Sequence, residues 1–433
     1  GAVATAQAAG QSLLGNVKTR GMKYTEAKIV KVARGEAKVL EVIDKEVYDS
    51  GLIPICAYIS HPECTCDAIV LKRNGFTMSG FINLAGCLKV NRSVKTFKYV
   101  QNKIGEQVPA EGADFYDHLE AAGSYVYYGA DGAHRFAAVL KDNSKLQSVT
   151  FEDNTLGNEG CIALADALQE NLGITHFRLS KNQMDDKACA KFCDALRKNT
   201  TLTALDLDEN MITDAGAAEL FKVAQGNGSI QMLGLRANRL TEQVAGAIAE
   251  TLAVSASIKE IDVRRNHLSD DGTCRVAEAL EHNTVLRKLH LSSNRIGNKG
   301  CRRLAEALEK NGALRHLYLE INNIEDDGAI RFAEMVEKNA SLTCVNLMMN
   351  NFSGTGYSRL AAAVETNSTV RTFQLSESLL GAKAPVERIR VKLAANKEAC
   401  PEVEDDEKEE ADESLEWKVP IPAGTDVEAA AAA

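Results

Sequence analysis

The stretch LRKLHLSSNRIG, residues 286–297, sets leucines at Leu286, Leu289 and Leu291, an asparagine at Asn294 and an isoleucine at Ile296. Nearly the same phrase begins again at Leu314 as LRHLYLEINNIE, and stands earlier at Leu202 as LTALDLDENMIT. With the asparagine as anchor, the series runs Asn154, Asn182, Asn210, Asn238, Asn266, Asn294, Asn322 and Asn350, every step 28 residues. Ser378 extends it forward. Backward it passes through Val126, then by a short step of 24 to Asn102, then to Asn74. That makes about twelve units, with the anchor asparagine replaced at Val126 and Ser378.

Apolar residues five and three positions before each anchor, such as Phe177/Leu179, Leu205/Leu207 and Leu317/Leu319, have the spacing of a strand with alternate residues on one face. The second half of each unit, as in AGAAELFKVAQGN and KGCRRLAEALEKN, changes to helical spacing. Asp186, Asp214, Asp270, Asn298 and Asp326 stand where a helix N-cap is expected. Asn171, Asn199, Asn227, Asn283, Asn311, Asn339 and Asn367 stand at the helix ends, where asparagine tolerates left-handed geometry. Each unit therefore reads as strand, turn, helix and return. The turn after each strand becomes buried when units stack, and a side-chain amide supplies both a donor and an acceptor to its backbone. One asparagine per unit is a structural requirement, since a catalytic site needs one special residue and not ten in register.

Strands in a sheet lie ~4.8 Å apart, whereas packed helices need roughly 10 Å. The stack must bend with its sheet inside. The expected fold is an α/β, right-handed solenoid shaped as a horseshoe, with a parallel sheet on the concave face and helices on the convex face. The phrase LxxLxLxxNxI and the 28-residue unit resemble leucine-rich repeats of the ribonuclease-inhibitor type, found also in the GTPase activator of Ran, NOD-like receptors and tropomodulins. The resemblance covers residues 64–381. Outside it, residues 1–63 are expected to form an N-terminal helical cap region, with YTEAKIVKVARGEAKVLEVIDKEV (24–47) read as an amphipathic helix. Residues 382–401 are expected to hold a C-terminal capping helix, with Pro385 in its first turn, and residues 402–433 an acidic, disordered tail.

Charge is concentrated in that tail. Residues 402–416, EVEDDEKEEADESLE, carry ten acidic side chains and one lysine, a net of −9, against −10 for all 433 residues. The rest of the chain thus sums to about −1 and offers no field for nucleic acid. No run is long and apolar enough to span a bilayer. Eleven scattered cysteines suit a reducing compartment. Residues 1–10 lack the basic start and apolar core of a signal peptide, so the expected location is cytoplasmic. Six N-x-S/T sequons occur, at Asn91, Asn199, Asn227, Asn339, Asn351 and Asn367; five of them coincide with helix ends and read as repeat grammar.

Little in the chain suggests catalysis. No glycine-rich phosphate loop or nucleophile–base signature is present, no cofactor is implied, and the protein is expected not to be an enzyme. His61, Cys64 and Cys66 in HPECTC are the nearest approach to a metal motif, but the spacing is wrong for zinc and Cys66 falls at a core position. Cys161, Cys189 and Cys301 stand where other units have alanine and read as packing residues. The concave face is the better candidate. Its outward positions run Arg178, Lys181, Asp206, Asp208, Glu209, Arg236, Arg264 and Arg265, then Lys288, His290, His316, Tyr318 and Glu320, and end in apolar Ile321, Met348 and Met349. An apolar patch beside charge is the composition of a protein-binding surface. Trp417, the one tryptophan, follows the acidic run as a potential docking anchor. Gly1 opens a G-x-x-x-[ST] sequence compatible with myristoylation, and equally with plain loss of an initiator methionine.

The expected function is a non-catalytic protein–protein interaction scaffold within a larger complex, its partner unspecified. The resemblance to tropomodulin repeats implies a cytoskeletal or flagellar assembly, and a cytoskeleton or cilium location. The alternative it implies is a GTPase activator of the Ran type. That family relies on an arginine in an early inter-repeat loop, and the loops NGFTMSG and NKIGEQVPAEGAD contain none.

Overall fold

The structure, a computed structural model, describes residues 20–45, 47–102, 107–109, 125–127, 129–376 and 383–399. Its strands are β1 (Val39–Ile43), β2 (Ala68–Lys72), β3 (Thr96–Val100), β4 (Gln107–Pro109), β5 (Tyr125–Tyr127), β6 (Ser148–Glu152) and β7 (His176–Arg178). They continue with β8 (Ala204–Asp206), β9 (Met232–Gly234), β10 (Glu260–Asp262), β11 (Lys288–His290), β12 (His316–Tyr318), β13 (Cys344–Asn346) and β14 (Thr372–Gln374). Twelve of them form one parallel sheet in chain order, and a helix separates each from the next. Partners across the sheet are offset by 28 residues, as in Glu260↔Lys288, Lys288↔His316 and His316↔Cys344. Leu286, Leu289, Leu291 and Ile296 of the opening stretch are fully buried between sheet and helices. This is the horseshoe solenoid that the repeat implies.

The twelve strands are not all the twelve of the phrase. Val126 lies on β5, which pairs antiparallel with β4 outside the main sheet. β3 pairs directly with β6, Thr96 opposite Ser148, an offset of 52 residues. The 24 extra residues form an insertion between β3 and the helix Gly129–Asp142, and the Val126 unit is not a repeat. The ladder closes over the gap: the Asn102 backbone N–H donates to Asn154 Oδ1 at 3.1 Å. The missing strand is made good at the other end by β1, in a region read as helix. The helix Arg20–Ala33 stops at Gly35, whose positive φ of 75° lets the Glu36 N–H reach back to Lys31 O at 2.9 Å. Beyond it VLEVI is rich in β-branched residues and alternates in burial, so that Leu40 and Val42 enter the core as a strand beside β2.

The anchor asparagine does what a buried amide can do. Asn294 Nδ2 donates to Val263 O of the preceding repeat at 2.9 Å and to Leu291 O at 3.1 Å, while its Oδ1 accepts from Leu268 N at 3.2 Å. The helix-end asparagines form a second ladder of their own, and their backbone is not left-handed. Asn339 has φ −72° and ψ 130°, and Asn367 φ −78° and ψ 138°. Asn339 Nδ2 donates to Leu308 O of the preceding repeat at 2.7 Å, and its Oδ1 accepts from Ser341 N at 2.9 Å and Leu342 N at 2.8 Å. The extended conformation aims the amide backward across the repeat boundary, which a left-handed cap would not. The five sequon asparagines at these positions are buried by the same bonds. Asn396 of the last helix, Lys383–Ala399, ends the series by donating to Val370 O at 2.7 Å.

The acidic residues at the helix starts also act across repeats and do not cap their own helices. Asp326 is the first residue of its helix, Asp326–Lys338. Its Oδ1 accepts from Ser353 N at 2.7 Å and Gly356 N at 3.0 Å, and its Oδ2 from the Ser353 hydroxyl, all at the start of the following helix. Asp186 and Asp214 take Thr213 and Thr241 in the same way. At Asp186 and Asp326 the approach is so close that the following helix needs a glycine, since a Cβ on Gly356 would lie 2.6 Å from Asp326 Oδ1 and one on Gly216 2.3 Å from Asp186 Oδ1. Burial works to raise the Asp326 carboxyl, but the bonds from Ser353 and Gly356 outweigh it and hold it below the usual 3.8. Asp326→Ala is therefore expected to lower stability by about 1–2 kcal/mol at neutral pH, the scale of a lost cap. Because the folded-state value is depressed, this contribution is present above the ordinary carboxylate range and is lost as pH falls through the folded value. Urea unfolding of the two proteins should show the gap closing as pH drops below about 4.

Candidate protein-binding face

Side chains two and four residues before each anchor point away from the core onto the concave sheet, and adjacent strands set them ~4.8 Å apart. At that spacing opposite charges on neighbouring repeats meet, and the middle of the sheet is spent on such meetings. Arg178, 8% exposed, lies 3.2 Å from Asp206 and bonds Ser180 Oγ at 2.7 Å. Arg236 pairs with Asp208 at 3.2 Å and also with Glu209. Arg264 holds Asp262, its Nε 3.0 Å from both carboxylate oxygens. Lys181 pairs with Asp153 at 2.6 Å. Burial, with Asp206 and Asp262 beside it, pushes the Asp208 carboxyl well up. Asp262 goes the other way, because Arg264 beside it outweighs the effect of its burial. Arg178, Asp206, Asp208, Arg236 and Arg264 thus form one internally matched network, with Arg265 exposed beside it.

The next three strands are different. His290 on β11 is buried, stacked on Tyr318 of β12 with ring centres 4.3 Å apart and planes 2° from parallel. Its Nε2 lies 3.1 Å from Glu260 Oε1. Burial works to raise the Glu260 carboxyl, but this bond and nearby Lys288 leave it below its ordinary value. A carboxylate accepts, so Nε2 carries the proton and Nδ1 of a neutral ring is left as an acceptor. Nδ1 has no partner among the described residues, and neither do Ser292 Oγ and Glu320 Oε2, although all three atoms are buried. Beside them the surface turns apolar. Ile321, Met348 and Met349 are 50%, 37% and 62% exposed, and Ile321 N bonds Met348 O at 3.0 Å.

Backbone geometry adds to this. The residue before each anchor has a positive φ, including Ala237 at 51°, Arg265 at 55°, Ser293 at 55° and Met349 at 54°. Ile321 adopts the same conformation at φ 55°. A β-branched side chain is poorly tolerated there. The structure therefore brings His290, Tyr318, Glu320, Ile321, Met348 and Met349 together, with His316 buried at the entry to β12 and Lys288 at the entry to β11. Glu260, Asp262 and Ser292 belong to the same face and escaped the sequence reading. They occupy the outward strand positions that identified the others, so parity alone was signal enough.

The remaining sequence candidates lie elsewhere. His61 Nδ1 accepts from Glu63 N at 3.2 Å, Cys64 Sγ from Ser93 Oγ at 3.2 Å, and Cys66 bonds Ala68 O at 2.9 Å with burial pushing its thiol up to about 12. Among the described residues no group of three or more His, Cys, Asp or Glu is placed to hold a metal ion. No helix among them is long and apolar enough to cross a membrane. Cys161, Cys189 and Cys301 are fully buried. Gly1, Ser378, the acidic run and Trp417 lie outside the described residues.

A family model described as a leucine-rich repeat matches residues 142–165, 198–221, 282–305, 311–333 and 338–361. Each match joins a strand of the sheet to its convex helix. The chain is a leucine-rich repeat protein. No curated protein sequence matches it. Among solved structures, leiomodin-1 actin-binding site 2 is 22% identical over 33% of this chain and 82% of that one, with a TM-score of 0.28. An internalin from Listeria monocytogenes is 13% identical over 87% of this chain and 95% of its own, with a TM-score of 0.41. The tropomodulin C-terminal domain of Caenorhabditis elegans is 17% identical over 42% and 92%, with a TM-score of 0.27. At this level these likenesses say nothing about what this leucine-rich repeat chain binds.

Proposed function

We propose that this leucine-rich repeat protein is a non-catalytic interaction scaffold whose partner docks on the concave face at β11–β13. One observation carries the reading: three buried polar atoms without a partner adjoin an exposed apolar step of Ile321, Met348 and Met349. A surface built only for folding matches its charges, as the β7–β10 network does, and leaves no such atoms open. Two of the three atoms are acceptors, so the partner best suited offers donors, an arginine or backbone N–H groups, beside an apolar group. The resemblance to tropomodulin repeats leads us to place the scaffold in a cytoskeletal assembly.

The test compares capture by the full chain, its Met348→Asp variant and its Arg265→Glu variant, with mass spectrometry of retained proteins. A stoichiometric partner lost with Met348→Asp and weakened less by Arg265→Glu supports the site. The same partners retained equally by all three proteins would remove it. Actin is the first purified protein to try.

A further inference from the structure

A second feature of the sheet borders that face and shares Glu260, Lys288 and His316 with it, but does not depend on the proposed partner. Lys259, Arg287, Arg315 and Arg371 each stand immediately before a strand, at the entries to β10, β11, β12 and β14. The row is continuous through the backbone, with Arg287 N on Lys259 O at 2.7 Å and Arg315 N on Arg287 O at 2.9 Å. Beneath it runs a shallow groove of about 470 Å³, lined in part by Lys259, Glu260, Arg287, Lys288, Arg315 and His316. Four of its lining residues are lysine or arginine and one is a carboxylate, Glu260, already engaged by His290. The two central guanidiniums are held in place by neutral groups. Arg287 Nη1 bonds Thr284 O at 3.0 Å and Ala313 O at 3.2 Å, and Arg315 Nη1 bonds Ser341 O at 2.9 Å. Lys259 Nζ rests on Gln231 Oε1 at 3.0 Å. Among the described residues none of Lys259, Arg287 and Arg315 has a carboxylate in salt-bridge contact, unlike Arg178, Arg236 and Arg264 on the same sheet. Pre-positioned cations without counter-charges are what an acidic ligand requires.

We infer that the occupant is the chain's own acidic segment, residues 402–416. Charge is the first argument, a net of −9 in fifteen residues against a groove in which cations outnumber the one carboxylate. Position is the second. Asn396, in the last turns of the helix Lys383–Ala399, is bonded to Val370 O at 2.7 Å and Asn367 O at 3.2 Å, just before Arg371. The chain therefore leaves the described structure at the strand-entry edge, the edge that carries the basic row. Reach is the third. The entry to β10 lies four strand spacings from β14, about 20 Å, and eighteen extended residues from 400 to 417 span up to about 60 Å. Docking there would lay the acidic run along the basic row and bring Trp417, the only tryptophan, onto or beside the sheet.

That tryptophan makes the inference directly readable in the full chain, because its fluorescence reports on the tail alone. Acrylamide quenching is measured at about 0.02 M and about 0.5 M salt, across which screening cancels most surface attraction. The expected result is quenching at least about twofold weaker at low salt, a difference abolished by Arg287→Glu with Arg315→Glu and restored by adding Glu409→Arg with Glu410→Arg. Circular dichroism confirms that each variant is folded, and Lys259→Glu, at an exposed position, serves where the double variant does not fold. Equal quenching at both salts overturns the inference. So does salt-dependent protection that survives both Lys259→Glu and the arginine reversals. Protection that grows with protein concentration would place a second copy's tail in the groove and overturn the intrachain contact.

Discussion

Asn322→Ala is expected to destabilise the array by about 3 kcal/mol, the loss of a buried amide bonded to the repeats on both sides. Asn322 is 4% exposed and makes four close bonds. Its Nδ2 donates to Leu291 O at 3.1 Å and Leu319 O at 3.0 Å, and its Oδ1 accepts from Asn294 N at 2.9 Å and Ile296 N at 3.0 Å. Alanine leaves two N–H groups without an acceptor in a place where the flanking repeats exclude water. Each such group costs about 1–3 kcal/mol, and a water molecule entering the vacated space recovers part of it. Since repeats are coupled mainly to their neighbours, the loss should spread into the repeats of Asn294 and Asn350. The measurement is the urea midpoint together with amide exchange at Asn294 and Ile296. Asn351→Ala is the control, an exposed asparagine 29 residues further on, where a change within about 0.5 kcal/mol is expected. Equal effects at the two positions would mean that the anchor is not structural in the sense argued.

The repeat made such residues legible, and its regularity also explains what was misread. Spacing of 28 identifies a position in the unit but not the repeat in which its side chain acts. Asp326 looked like the cap of its own helix because that helix begins there, yet it bonds Ser353, 27 residues on. The spacing locates the helix-end asparagines but not their extended backbone, because their partners lie 31 residues back and outside any local window. β1 was hidden for a different reason. VLEVI carries no anchor phrase, and its apolar residues also fit a helix until Gly35 is taken as a stop. On the concave face, side-chain parity found the surface but not its pairings. Arg178 and Asp206 read as free charges until the neighbouring strand put them 3.2 Å apart. Nothing in the sequence distinguishes Ser292 from Ser180. One hydroxyl accepts from Arg178 at 2.7 Å, and the other is buried without a partner.

Ile321→Asn, at the residue next to Asn322, is expected to act in the opposite direction. The position needs φ near 55°, where an L-residue strains against its own carbonyl by roughly 1–2 kcal/mol and a β-branched one more. Asparagine is the side chain that tolerates this conformation best after glycine, so the variant should be more stable by about 1 kcal/mol. The same substitution removes a half-exposed apolar group beside Met348 and Met349. If the proposed partner buries it, affinity should fall by about tenfold or more, the equivalent of roughly 1.4 kcal/mol and within reach of one buried isoleucine side chain. Stability and binding moving apart is the signature of strain kept for function. Urea unfolding reads the first effect, and titration of the partner identified by capture reads the second. A variant no more stable than the parent would show that the left-handed isoleucine carries no strain to relieve. A variant that is more stable and binds equally well would take Ile321 out of the interface and leave the proposal resting on Met348, Met349 and the open polar atoms of His290, Ser292 and Glu320.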